Sequence, residues 1–487
     1  MKEKQKLTCY GLDAVLPFFA MILLSMQHVM IIIVDLAVPV LVVKVMGGTA
    51  AQTAWVVQMS MVAIGVGTLF QIQPKGIGSG YLIPHSTTSI FLAPSLLAVQ
   101  IGGLSMVAGM TLMAGSFQVV LARLTRRFQN LFPLHLSGLI LVVNGGVLVH
   151  AALGRFIGST GAHGTMDWRM PLVGMLTLTI MSGLFVKGTG LLRSYGLALG
   201  MTVGYLFSLL LGIEDPGMTG AVQAAPLFGL PQWQHCGFDF DASLCLPFTL
   251  AALAVNAKSS GLIVQGHHTN KTIASDDRKR RLSGGLLADG FGTLLAGFLG
   301  GIGTSMSAAN ASLSMVSRVT ARRVGYGVAA IFLLLVFFPK LTVALFYMPQ
   351  PVVGGTMVCI GFNLVRAGVQ MIRLKPLDTR RWIVVILPLV VWIWIEMMSP
   401  GCRARSTWMG SVLSSSISTT ALLAFALHCF FSSWSLLVAA WRHIGLTPML
   451  QMAESDSVRA SRVKAMVIHI ITSTKGGAHR IGDVTIL

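Results

Sequence analysis

The sequence predicts an all-α polytopic membrane protein of about 14 transmembrane spans, and three observations predict it. Of 487 residues, 54% are hydrophobic and only 10% charged, against roughly 25% charged in a soluble domain. The apolar residues gather into runs of about 20, the length that crosses a bilayer as a helix. The basic residues fall between those runs in short clusters that alternate in density along the chain.

In chain order the runs lie near 13–43, 51–71, 78–99, 102–122, 131–153, 170–186, 192–213, 243–265, 283–301, 304–317, 325–348, 351–365, 382–399 and 408–436. Two of them, after Gly78 and after Gly303, are short and polar. With the N-terminus inside, inner segments hold 28 of the 35 Lys and Arg, outer loops hold five, and Lys258 and Lys340 fall within spans. That asymmetry obeys the positive-inside rule and places both termini in the cytoplasm. The longest outer loop, about 214–242, has no Lys or Arg and carries Glu214, Asp215, Asp239 and Asp241. Glu396 is expected at the outer end of its span in contact with water, and Lys340 at a helix end.

The net charge of +19 raises nucleic acid as a partner. Basic clusters set between apolar runs are topological signals, not an aromatic-flanked stripe, so no nucleic acid is expected. Cysteines at 9, 236, 245, 359, 402 and 429 form no metal-ligand spacing, and Cys236 and Cys245 share one outer loop, which leaves a disulfide as one option. Lys2, Lys4 and Lys6 precede the first apolar run without a small-residue cleavage site after it, so no signal peptide is expected. No Ser/His/Asp, metal or paired-carboxylate constellation is present, and no cofactor is expected.

The two halves echo one another. Gly76-Ile77-Gly78-Ser79-Gly80 leads into His85-Ser86-Thr87-Thr88-Ser89, and about 225 residues later Gly300-Gly301-Ile302-Gly303-Thr304 leads into Ser305, Ser307, Asn310 and Ser312. Seven spans per half is an odd number, so the repeats run inverted through the membrane. Gly-interrupted spans at matching places in two halves point to the binding site of a secondary transporter. A helix broken there frees backbone N–H groups that hold a polar or anionic ligand. Small-residue packing between helices is the plainer alternative.

Lys258 lies near the centre of its span, where a lysine costs about 2.5–3.5 kcal/mol on insertion scales. Ala251, Ala254, Gly261, Leu262 and Gln265 share its helix face. It is either a site residue or the partner of a buried acid, Asp35 and Asp289 being the candidates. His28, after Gln27 in the first span, is open to both a packing and a binding role.

Several of these residues also carry a resemblance. Gln27-His28, Ala288-Asp289-Gly290 with Gly297-Phe298-Leu299-Gly300, Phe338-Pro339-Lys340 and Pro349-Gln350-Pro351-Val352-Val353-Gly354-Gly355 are similar to motifs of the nucleobase–ascorbate transporters, the xanthine/uracil permease group. That family's signature is Gln, Glu or Pro, then Asn-x-Gly-x4-Thr, then a basic residue or Gly. It maps onto Ala309-Asn310-x-Ser312-x4-Ser317-Arg318. The resemblance covers roughly residues 12–435 and marks a divergent member.

The resemblance implies a seven-plus-seven inverted repeat with broken helices at spans 3 and 10. Residues 1–12 form the cytoplasmic N-terminus and 13–436 the transporter domain. Its core lies within 13–122 and 243–348, its gate within 131–213 and 351–436, and 437–487 is a cytoplasmic tail. It further implies a nucleobase substrate such as xanthine, uracil or urate, proton or sodium coupling, a homodimer, and residence in the inner (cell) membrane.

The family's eighth span carries a base-binding glutamate three residues before a glycine. Gly261 is present here, and the matching residue is Lys258. Its tenth span offers Glu or Gln where this chain has Ala309. Asn310 remains, and Ser89 marks the third-span contact. The expected substrate site is thus Lys258, Ala309, Asn310, Ser89, His28, Gln27 and Gln265. An ammonium donates hydrogen bonds but cannot accept them, so it cannot take over a carboxylate's contacts with ring N–H groups. The altered site therefore favours an anionic substrate, a nucleobase anion or a related one. An anion transporter or channel of the same architecture, or a sensor that binds without transporting, are the alternatives.

Overall fold

Two proline and glycine interruptions decide how the N-terminal half is cut into elements. In the computed structural model, helix α1 (Phe18–Asp35) stops at Leu36, and α2 (Ala37–Val45) continues the span. Pro39 explains the break, because it has no N–H for the Asp35 carbonyl four residues earlier. The run read as one span over 13–43 is therefore two helices. Helix α3 (Ala50–Gln71) starts on a capping box in which Thr49 and Gln52 satisfy each other's backbone N–H groups. Strand β1 (His85–Thr87) and a 3-10 turn (Ser89–Phe91) lead into α4 (Leu92–Arg127), which is broken at Gly102 and Gly103. Gly103 has φ +67°, a conformation that favours glycine. Helices α5 (Leu134–Ile157), α6 (Arg169–Lys187) and α7 (Gly196–Leu210) complete the half.

The second half repeats that order. Helix α8 (Ala242–Thr269) and α9 (Ser275–Phe298) are followed by strand β2 (Thr304–Met306), the short α10 (Ala308–Ser317) and α11 (Arg322–Leu335). Then come α12 (Gln350–Arg373), α13 (Thr379–Met397) and an apolar helix over Ser416–Phe431. The structure describes residues 10–127, 133–157, 167–188, 192, 196–213, 220, 223, 226–231, 237–270, 275–340, 348–373, 378–397 and 416–431. The C-terminal tail and Cys236 lie outside them. Cys245 is an exposed free thiol.

Seven described helices are long and apolar enough to cross a membrane, running from Phe18–Val43 to Gln350–Arg373. The chain is a polytopic helical membrane protein. The other described helices are short, interrupted, or begin in a charged turn such as Asp277-Arg278-Lys279-Arg280-Arg281.

The chain divides into two units, Met1–Phe425 and Ala426–Leu487, and the second is described only over 426–431, which are helical. Within the first unit, α1, α3 and α4 pack on α8, α9 and α11, whereas α5 and α6 pack on α12. Helices α5 and α12 come together along glycines. A Cβ on Gly138 would lie 2.7 Å from the Gly368 carbonyl oxygen, and one on Gly145 2.6 Å from that of Gly361. Close backbone approach of this kind replaces the hydrophobic driving force that lipid does not supply.

Glu396 departs from the expectation of a solvated side chain. It accepts a hydrogen bond from Ser416 at 2.6 Å, lies 3.9 Å from His150, and its side chain is 14% exposed. A carboxylate at the end of an apolar span finds partners in neighbouring helices because lipid offers none.

Candidate functional site

The two Gly-rich interruptions lead into strands that meet. Strands β1 and β2 pair antiparallel, with His85 opposite Met306, Ser86 opposite Ser305 and Thr87 opposite Thr304, and all six residues are buried. Antiparallel pairing is the geometry two inverted segments require when they cross. The two central serines lie opposite each other, Ser86 near the Asp35 carboxylate and Ser305 near that of Asp289. The Thr87 hydroxyl donates to the Asp35 carbonyl at 2.5 Å. That is the carbonyl Pro39 leaves without a helical partner, so the break in the first span becomes the socket for the first strand.

Asp289 is the most heavily bonded side chain of the crossing. Its Oδ1 accepts from the Met306 N–H at 2.7 Å and its Oδ2 from the Ser259 hydroxyl at 2.6 Å, which ties α9 to β2 and to α8. His85 Nε2 stands 3.8 Å from Asp289 Oδ1, and both side chains are fully buried. Neither ring nitrogen of His85 has a hydrogen-bond partner among the described residues. The imidazole is clamped between two glycines. A Cβ on Gly67 would fall 2.5 Å from Nδ1, and one on Gly292 2.6 Å from Cε1.

Lys258, next to Ser259 on α8, is 3% exposed. Asp289 and Asp35 are close enough to act on its charge, yet it makes no hydrogen bond and no ion pair within 4.0 Å among the described residues. The structure thus brings both candidate acids near the ammonium without pairing it to either.

Around this crossing the expected site residues divide. His28 Nδ1 meets Asn310 Oδ1 at 2.6 Å, joining α1 to α10. Gln27 is 1% exposed and its Nε2 has no partner among the described residues. Ser89 opens the 3-10 turn on which α8 packs, and Ala309 is half-buried in the first turn of α10. Gln265 is set apart. Seven residues beyond Lys258, about 10 Å along the helix, it contacts Met315 and lines a separate small pocket with Tyr81, Asn270, Ser314 and Thr320.

His85 stands at this crossing although the sequence marks it only within the first polar echo, and Asp289 only as a candidate partner for Lys258 and as part of a motif. The available signal was a histidine heading a Ser-Thr-Thr-Ser run in an apolar span, whose second echo carries no histidine. Nothing in spacing alone shows that it meets Asp289 some 200 residues away.

A family model described as "Permease family" (Xan_ur_permease) matches residues 19–398. The xanthine permease XanQ of Escherichia coli strain K12 is 28% identical over 392 residues, covering 76% of this chain and 82% of that protein. Xanthine permease XanP of the same strain is 23% identical over 420 residues, covering 83% and 90%. The nucleobase transporter PlUacP of Paenibacillus larvae is 25% identical over 369 residues, covering 74% and 83%. Among solved structures, the murine Slc26a9 anion transporter in its inward-facing state matches with TM-score 0.51 at 10% identity, over 88% of this chain and 70% of that one. At that identity the likeness is one of fold.

Proposed function

The chain belongs to the Xan_ur_permease permease family, and from that premise we propose that it is a secondary transporter of nucleobases with a site adapted to an anionic one. Relatives named as xanthine permeases and a nucleobase transporter support the substrate class. The observation that carries the adaptation is Lys258, a buried ammonium without an ion-pair partner within 4.0 Å among the described residues. A buried unpaired charge costs several kcal/mol, which an anionic ligand offsets on binding.

The substrate, a urate or xanthine anion, lies against Lys258 and the N-terminal turn of α10, where Ala309 leaves room and the helix dipole favours negative charge. Gln27, whose amide N–H groups lack a buried partner, donates to ring oxygens, and His28 is oriented by Asn310. Ser89 contributes from the opposite broken span. Transport is linked to protons or sodium, the unit is a homodimer in the inner membrane, and both termini are cytoplasmic.

The test is uptake of radiolabelled xanthine, urate and uracil by proteoliposomes holding the purified protein. Saturable uptake of xanthine or urate, preferred over uracil, is expected. Sulfate or bicarbonate flux without uptake of any nucleobase would replace this function with the second one that Lys258 supports, an anion transporter or channel. Thermal stabilisation by a nucleobase with no uptake would identify a sensor.

A further inference from the structure

We propose that His85 and Asp289 together bind the proton that couples transport, a site that rests on the transport function argued above. Among the described residues, the ionisable groups around the strand crossing are few. Helix α1 contributes His28 and Asp35, α8 contributes Lys258, α9 contributes Asp289 and β1 contributes His85. Helix α3 and strand β2, which pack on them, contribute none. The arginines of α4 stand at its far end, and His267 and His268 lie more than two turns beyond Lys258 on α8.

Two carboxylates and one ammonium leave one negative charge in excess. Of the two imidazoles, His28 is held by Asn310 and faces no carboxylate within 4.0 Å among the described residues, whereas both nitrogens of His85 are unpartnered, with Nε2 3.8 Å from an Asp289 oxygen. A proton taken up there cancels the excess. It resides on Nε2 as imidazolium facing carboxylate, or on Asp289 Oδ1 facing neutral imidazole, and no other bond changes. The glycine clamp of Gly67 and Gly292 keeps the ring fixed in both states.

The position suits coupling. Asp289 is bonded to Ser259, the neighbour of Lys258, and to the Met306 N–H in the strand leading to α10. An anion seated at Lys258 adds negative charge beside the pair and makes the proton bind more tightly. By linkage the proton then tightens the anion by the same factor. Release of one favours release of the other.

Two arms test the pair. The first needs no substrate: infrared difference spectra of the purified protein between acid and alkaline pH. Beside the titrations of its surface groups, the wild type is expected to show a carboxyl or imidazole band that disappears in both His85→Gln and Asp289→Asn, while Asp35→Asn keeps it. A titration unchanged in His85→Gln and Asp289→Asn, or lost only in Asp35→Asn, overturns the proposal. The second arm uses radiolabelled xanthine in proteoliposomes. His85→Gln is expected to keep xanthine counterflow but to lose at least tenfold of the accumulation driven by an imposed pH gradient. Wild-type gradient dependence in His85→Gln overturns the proposal. Absence of xanthine movement in the wild type is a failure of the transport function instead, and the infrared arm still decides the proton site.

Discussion

His28 Nδ1 and Asn310 Oδ1 lie 2.6 Å apart although 282 positions separate them in sequence. The Asn310 amide nitrogen donates to the Ser307 hydroxyl at 3.0 Å, so its oxygen is the end turned to His28. That oxygen can only accept, which puts the imidazole hydrogen on Nδ1 and leaves Nε2 with a free lone pair. Ser307, the N-cap of α10, thereby fixes a histidine tautomer on α1 by orienting Asn310.

Removing Asn310 should be costly for that reason. Asn310→Ala leaves a buried N–H without its acceptor, a loss of about 1–3 kcal/mol, and lowers the apparent unfolding temperature in detergent. His28→Asn, which keeps an N–H donor close to the same place, should lose less than His28→Ala. Equal midpoints for wild type and Asn310→Ala would show that the bond contributes nothing.

Lys258 should separate charged from neutral ligands. Lys258→Ala is expected to weaken urate binding by about tenfold or more, roughly 1.4 kcal/mol, and Lys258→Glu to abolish it. Neutral uracil should be indifferent to the alanine change and helped by the glutamate, which accepts from ring N–H groups. Isothermal titration with both ligands at one pH measures the difference. Urate affinity unchanged in both variants would rule out an anion against Lys258.

The clamp on His85 makes a geometric prediction. Gly292→Ala sets a methyl 2.6 Å from the imidazole Cε1 atom, closer than carbon atoms approach, so the ring or α9 must shift. Overpacking of this kind costs about 1–3 kcal/mol. In a His85→Ala background the nearest remaining neighbour is the Thr304 hydroxyl at 3.2 Å and most of that loss should vanish, so thermal unfolding of the two singles and the double should be strongly non-additive. Additive losses would mean that the alanine clashes with something other than His85.

The polytopic helical class was legible in composition because lipid excludes charge, and the echo of the two halves was legible in their Gly-rich segments. The breaks were legible where glycine or proline marks them, at Gly78 and Gly303. The break at Leu36 was not, because Pro39 sits inside an unbroken apolar run and a breaker acts on a carbonyl four residues away. Lys258 was visible as a lone charge. Its lack of a close partner was not, since Asp289 is committed to Ser259 and Met306 through contacts that arise only on folding. Ser86 and Ser305 were legible as members of the two polar echoes, but only the strand register sets them opposite each other.

The cap of α8 responds to pH. Asp241 accepts from the Ser243 hydroxyl at 2.5 Å and from the Ser243 N–H at 2.7 Å, and these bonds hold its carboxyl below the usual range. A depressed folded-state value adds stability above the unfolded value of about 3.9, lost as pH falls through the folded one. Wild type should therefore exceed Asp241→Ala in unfolding temperature by a constant margin from neutrality to about pH 4–5, and the margin should shrink below. Asp241→Asn, an uncharged cap, should show a smaller, pH-independent difference. A margin that stays constant to pH 3 would mean that the charge is not what caps the helix.

The orientation can be read from the same end of α8. Cys245 is an exposed free thiol in the first turn, four residues after Asp241 and next to the loop that contains no Lys or Arg. If 28 basic residues face the cytoplasm, Cys245 faces outward. With the other five cysteines replaced by serine or alanine, a membrane-impermeant maleimide should label Cys245 in intact cells. Lys279→Cys, exposed in the charged first turns of α9, should label only after the membrane is opened. Both sites lie on described helices, so a failure to label cannot be blamed on burial. The reverse pattern would invert the molecule, place the basic loops outside, and turn the α8 cap toward the cytoplasm.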